Sequence, residues 1–155
     1  MKKLFPLIIL LLTLSACSQK IQPTAVEVEN QTFDGAVAGR EKYYAIYQLD
    51  TDDPKIVNKA FANINNALAD SRLIGKLKIE LVAFSAGTKV MLTGSPYEAT
   101  LKSLLQKGVI IVQCNNSLIE QGLKRDQLYP FIGVVPSGNG ELIIRSAQGW
   151  AIIKP

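Results

Sequence analysis

Apolar and polar residues fall along this chain in blocks of two kinds. Short blocks dense in apolar, β-branched and aromatic residues lie at 43–49, 77–84, 109–112, 131–135 and 151–154, and each reads as a strand. Between them run longer blocks whose apolar residues recur three or four apart. Over 55–71 these are Val57, Ala60, Phe61, Ile64, Ala67 and Leu68, which share one face of a helix. Over 96–107 they are Ala99, Leu101, Leu104 and Leu105. Shorter helices are predicted at 115–121 and 140–148, with a turn at 125–128. Punctuation agrees with these blocks. Asp52 and Asp53 precede Pro54, as at a helix start, while Gly108 and Gly122 stand where helices stop. Residues 85–95, with Gly87 and Gly94, read as a loop. In the strand at 77–84 the charges are read as confined to its start. Strands alternating with helices, and apolar on both faces, predict an α/β fold: a small three-layer sandwich with a mostly parallel sheet of about five strands.

The first 41 residues do not fit that alternation. Met1-Lys2-Lys3 leads into an apolar run over 4–14, closed by Leu14-Ser15-Ala16-Cys17. The run is too short for a bilayer crossing of about 20 residues, and its basic start and small-residue end are those of a signal peptide. The four closing residues resemble a bacterial lipobox. The resemblance implies cleavage before Cys17, lipidation of its sulfur and acylation with a palmitate-type chain. Residues 1–16 are then a lipoprotein signal peptide, 17–41 a lipid-anchored tether and 42–155 the folded domain. A short strand at 25–28 is suggested within the tether, where apolar residues alternate. Ser18 resembles the pattern sent to the outer membrane. The expected location is the cell envelope, on the outer membrane facing the periplasm, with the lipid bilayer as partner through Cys17.

Charge narrows the partners. The formal charge of +4 includes Lys2 and Lys3, which leave with the signal, so the remaining charge is nearly balanced. The basic residues look scattered along the sequence, and no nucleic-acid partner is expected. The chain has two cysteines and no histidine. With Cys17 lipidated, Cys114 has no partner for an internal disulfide. Zinc sites and nucleophile pairs that need histidine are excluded; no metal site and no cofactor is expected.

Cys114 is the residue with chemistry to offer. It lies where the third strand gives way to a helix, and ligands of open parallel sheets gather beyond the carboxyl ends of strands. A helix N-terminus stabilises a thiolate, and Asn115, Asn116 and Ser117 suit a helix start. The other reading is a small hydrophobe packed in the core. Ser85-Ala86-Gly87-Thr88-Lys89 lacks the spacing of a phosphate-binding loop. The turn at 136–141, with Ser137 and Gly138, offers backbone amides to an anion or is a plain glycine turn. Glu120 and Glu141 look isolated. Tyr43, Tyr44 and Tyr47 read as strand packing.

Taken together, three segments resemble the DsrE/DsrF-like family: Gly108-Val109 through Cys114-Asn115-Asn116-Ser117-Leu118, Val134-Val135-Pro136-Ser137-Gly138 with Gly140-Glu141-Leu142, and the Gln148-Gly149-Trp150 ending. The resemblance implies a compact α/β domain assembling into homo-oligomers, trimers or hexamers. In sulfur-relay members a cysteine carries sulfur as a persulfide, and Cys114 matches it, with Asn116 and Ser117 beside it. The sulfur donor and acceptor are unidentified. Three readings follow. A thiol-based sulfur carrier or redox protein expects a reachable sulfur with a lowered pKa. A non-catalytic oligomeric binding module on the membrane surface expects a buried, structural Cys114. The third is an enzyme whose loops at 85–89 and 136–141 hold an anionic ligand.

Overall fold

The structure, a computed structural model, describes residues 22–155. The signal segment 1–16, Cys17 and the first tether residues lie outside the described residues. The chain divides after Ala36, and each part is described by itself.

The first part holds helix α1, Ala25–Gln31, where a strand was suggested at 25–28. A local cap decides the matter. The Glu27 N–H donates to Thr24 Oγ1 at 3.3 Å, and the Thr24 N–H donates to Glu27 Oε2 at 2.6 Å. This reciprocal pair satisfies two donors that a helix start leaves open. The Thr24-x-x-Glu27 spacing was readable and outweighs a three-residue alternation. The helix buries none of its residues.

The second part contains β1 (Tyr43–Leu49), α2 (Pro54–Ala69), β2 (Leu77–Ala83), α3 (Glu98–Gln106), β3 (Ile110–Cys114), α4 (Asn115–Glu120), β4 (Gly133–Val135), α5 (Gly138–Ala147) and β5 (Ala151–Ile153). Its five strands form one all-parallel sheet in the order β4-β3-β2-β1-β5. From β1 to β4 each new strand is added on the same side. With crossovers of one hand, α2, α3 and α4 therefore share a face. The last crossover runs back to the far edge beside β1, and the reversal sends α5 to the opposite face.

The side-chain alternation of the strands shows both faces. Tyr47, Leu49, Ile79, Leu81 and Ile111 pack with Val57, Phe61 and Ile64 of α2 and Leu101 and Leu104 of α3. Ile46, Val82 and Val112 point the other way, against Leu142 of α5 and Trp150. This second core is much smaller, because a single helix covers that face.

Three local differences from the sequence reading have physical causes. Residues 85–91 form a 3-10 helix, Ser85–Met91, rather than a loop. A Cβ at Gly87 would lie 2.1 Å from the Leu49 carbonyl oxygen, so this turn rests directly on the β1 backbone. Strand β3 runs on to Cys114 because Gln113 and Cys114 pair with Val134 and Val135 of β4, and the Gln113 amide finds a buried partner in Thr88. Strand β4 begins only at Gly133, and Phe131 instead stacks on Tyr129 with ring centroids 5.4 Å apart.

Charge in β2 is not confined to its start. Glu80 is fully buried in mid-strand, and the Arg145 guanidinium of α5 reaches its Oε2 at 2.6 and 2.8 Å. Arg145 also pairs with Glu141 at 3.0 Å and lies 4.2 Å from the Trp150 ring centroid. Glu141 is thus part of a cluster, not the isolated carboxylate read from sequence. Glu80 Oε1 has no hydrogen-bond partner among the described residues. Burial raises the Glu80 pKa above its ordinary 4.5, against the attraction of Arg145, and the Glu141 carboxylate adds to the rise.

A raised folded-state pKa means that the Glu80 contribution to stability is complete below about 4.5 and is lost as pH rises through the folded value. Glu80→Gln is expected to remove this slope. Urea unfolding of both proteins from pH 4.5 to 8 checks it, and an unchanged slope in the variant would disprove a raised Glu80 pKa.

Candidate thiol site

The site is built from a strand that becomes a helix without a loop. Cys114 is the last residue of β3 and also the N-cap of α4, with φ −69° and ψ 121°. The register places Cys114 beside Val135 of β4. The chain leaving β4 through Pro136 and Ser137 then begins α5 at Gly138. The starts of α4 and α5 therefore meet at one thiol.

Close packing makes this convergence possible. A Cβ at Gly138 would stand 3.0 Å from Phe84 Cδ1 and 3.1 Å from Phe84 Cβ. Glycine lets α5 start against the end of β2, within reach of the sulfur. Burial acts to raise the Cys114 pKa. It is outweighed by the Gly138 and Ser117 N–H groups, the Ser117 hydroxyl and the Asn116 N–H, so the thiol lies below its ordinary range. No side-chain hydrogen bond caps α4 at Cys114; these donors favour the thiolate rather than the neutral thiol.

A polar layer holds the donors in place. The Ser85 N–H donates to Ser117 Oγ at 2.9 Å, which leaves the Ser117 proton free for the sulfur. Ser85 has φ 50°, the one left-handed non-glycine backbone among the described residues, and such strain concentrates at functional sites. Gln121 Nε2 donates to the Ser85 carbonyl at 2.8 Å and to Thr88 Oγ1 at 3.3 Å. Gln113 Nε2 donates to Thr88 Oγ1 and to the Cys114 carbonyl, both at 2.9 Å. The 3-10 turn, α4 and the end of β3 are thereby tied together.

Of the residues marked from sequence, Asn116, Ser117 and Gly138 gather at the sulfur. Ser137 does a different job: its Oγ accepts from the Gly140 N–H at 3.2 Å and caps α5. Glu120 is exposed. Lys89 is engaged by Asp52 at 2.8 Å on the surface. Sequence reasoning weighed Ser85 and Thr88 only as part of an anion-binding loop and gave no role to Gln113 and Gln121. Only Gln113 carried a signal, as a lone amide in an otherwise apolar strand. Cys114 itself is 5% exposed, so the reachable sulfur expected of a carrier is not what this single chain presents. Among the described residues no group of His, Cys, Asp and Glu could hold a metal ion.

The sequence profile of the DsrE/DsrF-like family matches residues 44–155. The chain belongs to the DsrE/DsrF-like family. Two solved structures carry the same fold. A protein of unknown function from Methanobacterium thermoautotrophicum is 33% identical with a TM-score of 0.70, over 74% of this chain and 100% of that one. A conserved protein of unknown function from Bacteroides thetaiotaomicron is 17% identical with a TM-score of 0.60, over 78% of this chain and 100% of its own. No curated protein matches this chain. The Methanobacterium protein aligns with this chain along its entire length.

Proposed function

We propose that this chain is a lipid-anchored DsrE-like thiol protein of the cell envelope in which Cys114 carries sulfur as a persulfide. The observation that carries the reading is the convergence of the α4 and α5 starts on Cys114, which lowers the thiol pKa despite burial. In the transfer, the Cys114 thiolate attacks the outer sulfur of a donor persulfide, R–S–SH. A new S–S bond forms at Cys114, the donor's S–S bond breaks, and the donor leaves as thiolate, with no net oxidation. The donors that stabilise the Cys114 thiolate would equally stabilise the persulfide anion. Burial would guard it from oxidants outside the cytoplasm.

Cys17 would anchor the chain to the outer membrane on its periplasmic side. Self-association into trimers or hexamers is supported by Ile143 and Ile144, exposed on α5, and Ile152, exposed on β5. Sedimentation should then show an oligomer of the 37–155 domain that Ile143→Lys with Ile144→Lys reduces to monomer. A single monomeric species in the unmodified domain would remove self-association from the reading.

The deciding experiment is Cys114 alkylation against pH, read by intact mass. The carrier reading expects a midpoint below the free-thiol value of about 8.5 and a species 32 Da heavier after exposure to a persulfide donor, about one sulfur atom. Labelling only after denaturation would favour the second reading, which the 5% exposure of Cys114 supports: a binding module with a structural cysteine.

A further inference from the structure

We propose that the pole of the domain opposite Cys114 is a docking surface for anionic phospholipid headgroups. This inference rests on the lipid-anchored reading for its orientation. All five strands run parallel, so their starts share one pole and their ends the other. Cys114 lies at the end pole. At the start pole four lysines that look scattered in sequence come together. Lys42, Lys76, Lys78 and Lys107 line one concavity of about 330 Å³ with Tyr44, Gly75, Leu77 and Gly108.

None of the four lysines makes an ion pair with a carboxylate among the described residues. Lys42 donates to the Gly75 carbonyl at 3.1 Å, and Lys107 to Asn65 Oδ1 at 2.5 Å. The contrast with the other pole is direct, because there Lys89 and Lys154 are engaged by Asp52 and Asp50, each at 2.8 Å. These four lysines are therefore free of direct carboxylate partners, although Glu41 adjoins Lys42 in the chain.

Two further features select a membrane over a soluble anion. Ile74 is 63% exposed in the turn beside Gly75 and Lys76. Tyr44 is 39% exposed on the wall of the concavity and leans on Trp150 with ring centroids 5.2 Å apart. An exposed aliphatic tip and a tyrosine among lysines suit the boundary between headgroups and acyl chains. Strand β1 begins at Tyr43, directly after Lys42, at this pole. An acylated Cys17 would hold the chain to the bilayer, and the basic pole would orient the domain upon it. The thiol then faces away from the bilayer, toward partners in solution.

The test is co-sedimentation of the 37–155 domain with vesicles of phosphatidylcholine alone and with 30% phosphatidylglycerol. Binding is expected only to the anionic vesicles and should fall steeply with added salt. Lys76→Glu with Lys78→Glu should weaken it by at least about 25-fold, on the order of fivefold for each lysine lost, with the repulsion of the new carboxylates added to that. Lys55→Glu with Lys59→Glu, the same charge change on the exposed side of α2, should leave most of the binding intact. Circular dichroism and the Cys114 alkylation rate serve as fold controls for both pairs. Equal binding to both kinds of vesicle, no binding, or equal loss in both variant pairs would overturn the proposal. So would tighter binding to a DNA oligonucleotide or to inorganic polyphosphate than to vesicles. The mass of the full chain recovered from membranes reports separately on Cys17 lipidation, so a failed anchor and a failed docking surface give different results.

Discussion

Gly87→Ala is expected to cost the domain about 3 kcal/mol or more, near the upper end for an added methyl group. The new Cβ would lie 2.1 Å from the Leu49 oxygen and 2.8 Å from its carbonyl carbon. Both are backbone atoms at the end of β1, and the same oxygen already accepts the Phe84 N–H at 3.1 Å. No rotamer change relieves the clash; the Ser85–Met91 turn must lift off the sheet. Thr88 lifts with it, and the buried Gln113 amide loses its hydroxyl partner. Urea unfolding should show a lower midpoint at an unchanged slope. Alkylation of Cys114 under native conditions should also accelerate, because the turn is part of its cover. A variant as stable as the parent would mean that the turn does not rest on β1 as described.

Arg145→Met is expected to cost about 3 kcal/mol near pH 8, the usual scale for removing one partner of a buried ion pair. The loss is tied to Glu80, which is left with a charge in the core and no cation. Its pKa must then rise further than it already does, so the sign is fixed. The penalty grows as pH rises and shrinks as Glu80 takes up a proton on acidification. At pH 5 most of the stability should return, and Glu80→Gln introduced into Arg145→Met should restore much of it at pH 8. Unfolding of the single and double variants at both pH values checks this. A loss independent of pH would instead point to the packing of the Arg145 stem on Trp150.

How much of this was legible in the sequence depends on the range of the interactions. The five strands and the helices against the larger core follow from local periodicity: Val57, Ala60, Phe61 and Ile64 are buried as their spacing demands. Cys114 was placed correctly because a strand-to-helix junction is a local event. The second helix start at the sulfur was not legible. It depends on β4 lying beside β3 and on Gly138 fitting against Phe84, contacts between residues far apart in the chain. The Glu80–Arg145 pair, 65 positions apart, was hidden for the same reason. In one dimension Glu80 is a charge near the start of an apolar run, and only the last crossover brings a guanidinium to it. The clustering of four lysines likewise comes from parallel strands starting at one level.

The sheet's two borders carry a final consequence. Both outermost strands, β4 and β5, are three residues long, while β1 and β2 inside have seven. Each border therefore offers a stray β-segment little backbone to zip onto, which is how proteins suppress runaway edge-to-edge growth. An all-parallel sheet forms slowly, because it waits on distant contacts. It passes through states in which the longer inner strands lack their neighbours. For this domain the hazard of amyloid-like stacking belongs to folding, before β4 and β5 close the borders, rather than to the finished protein.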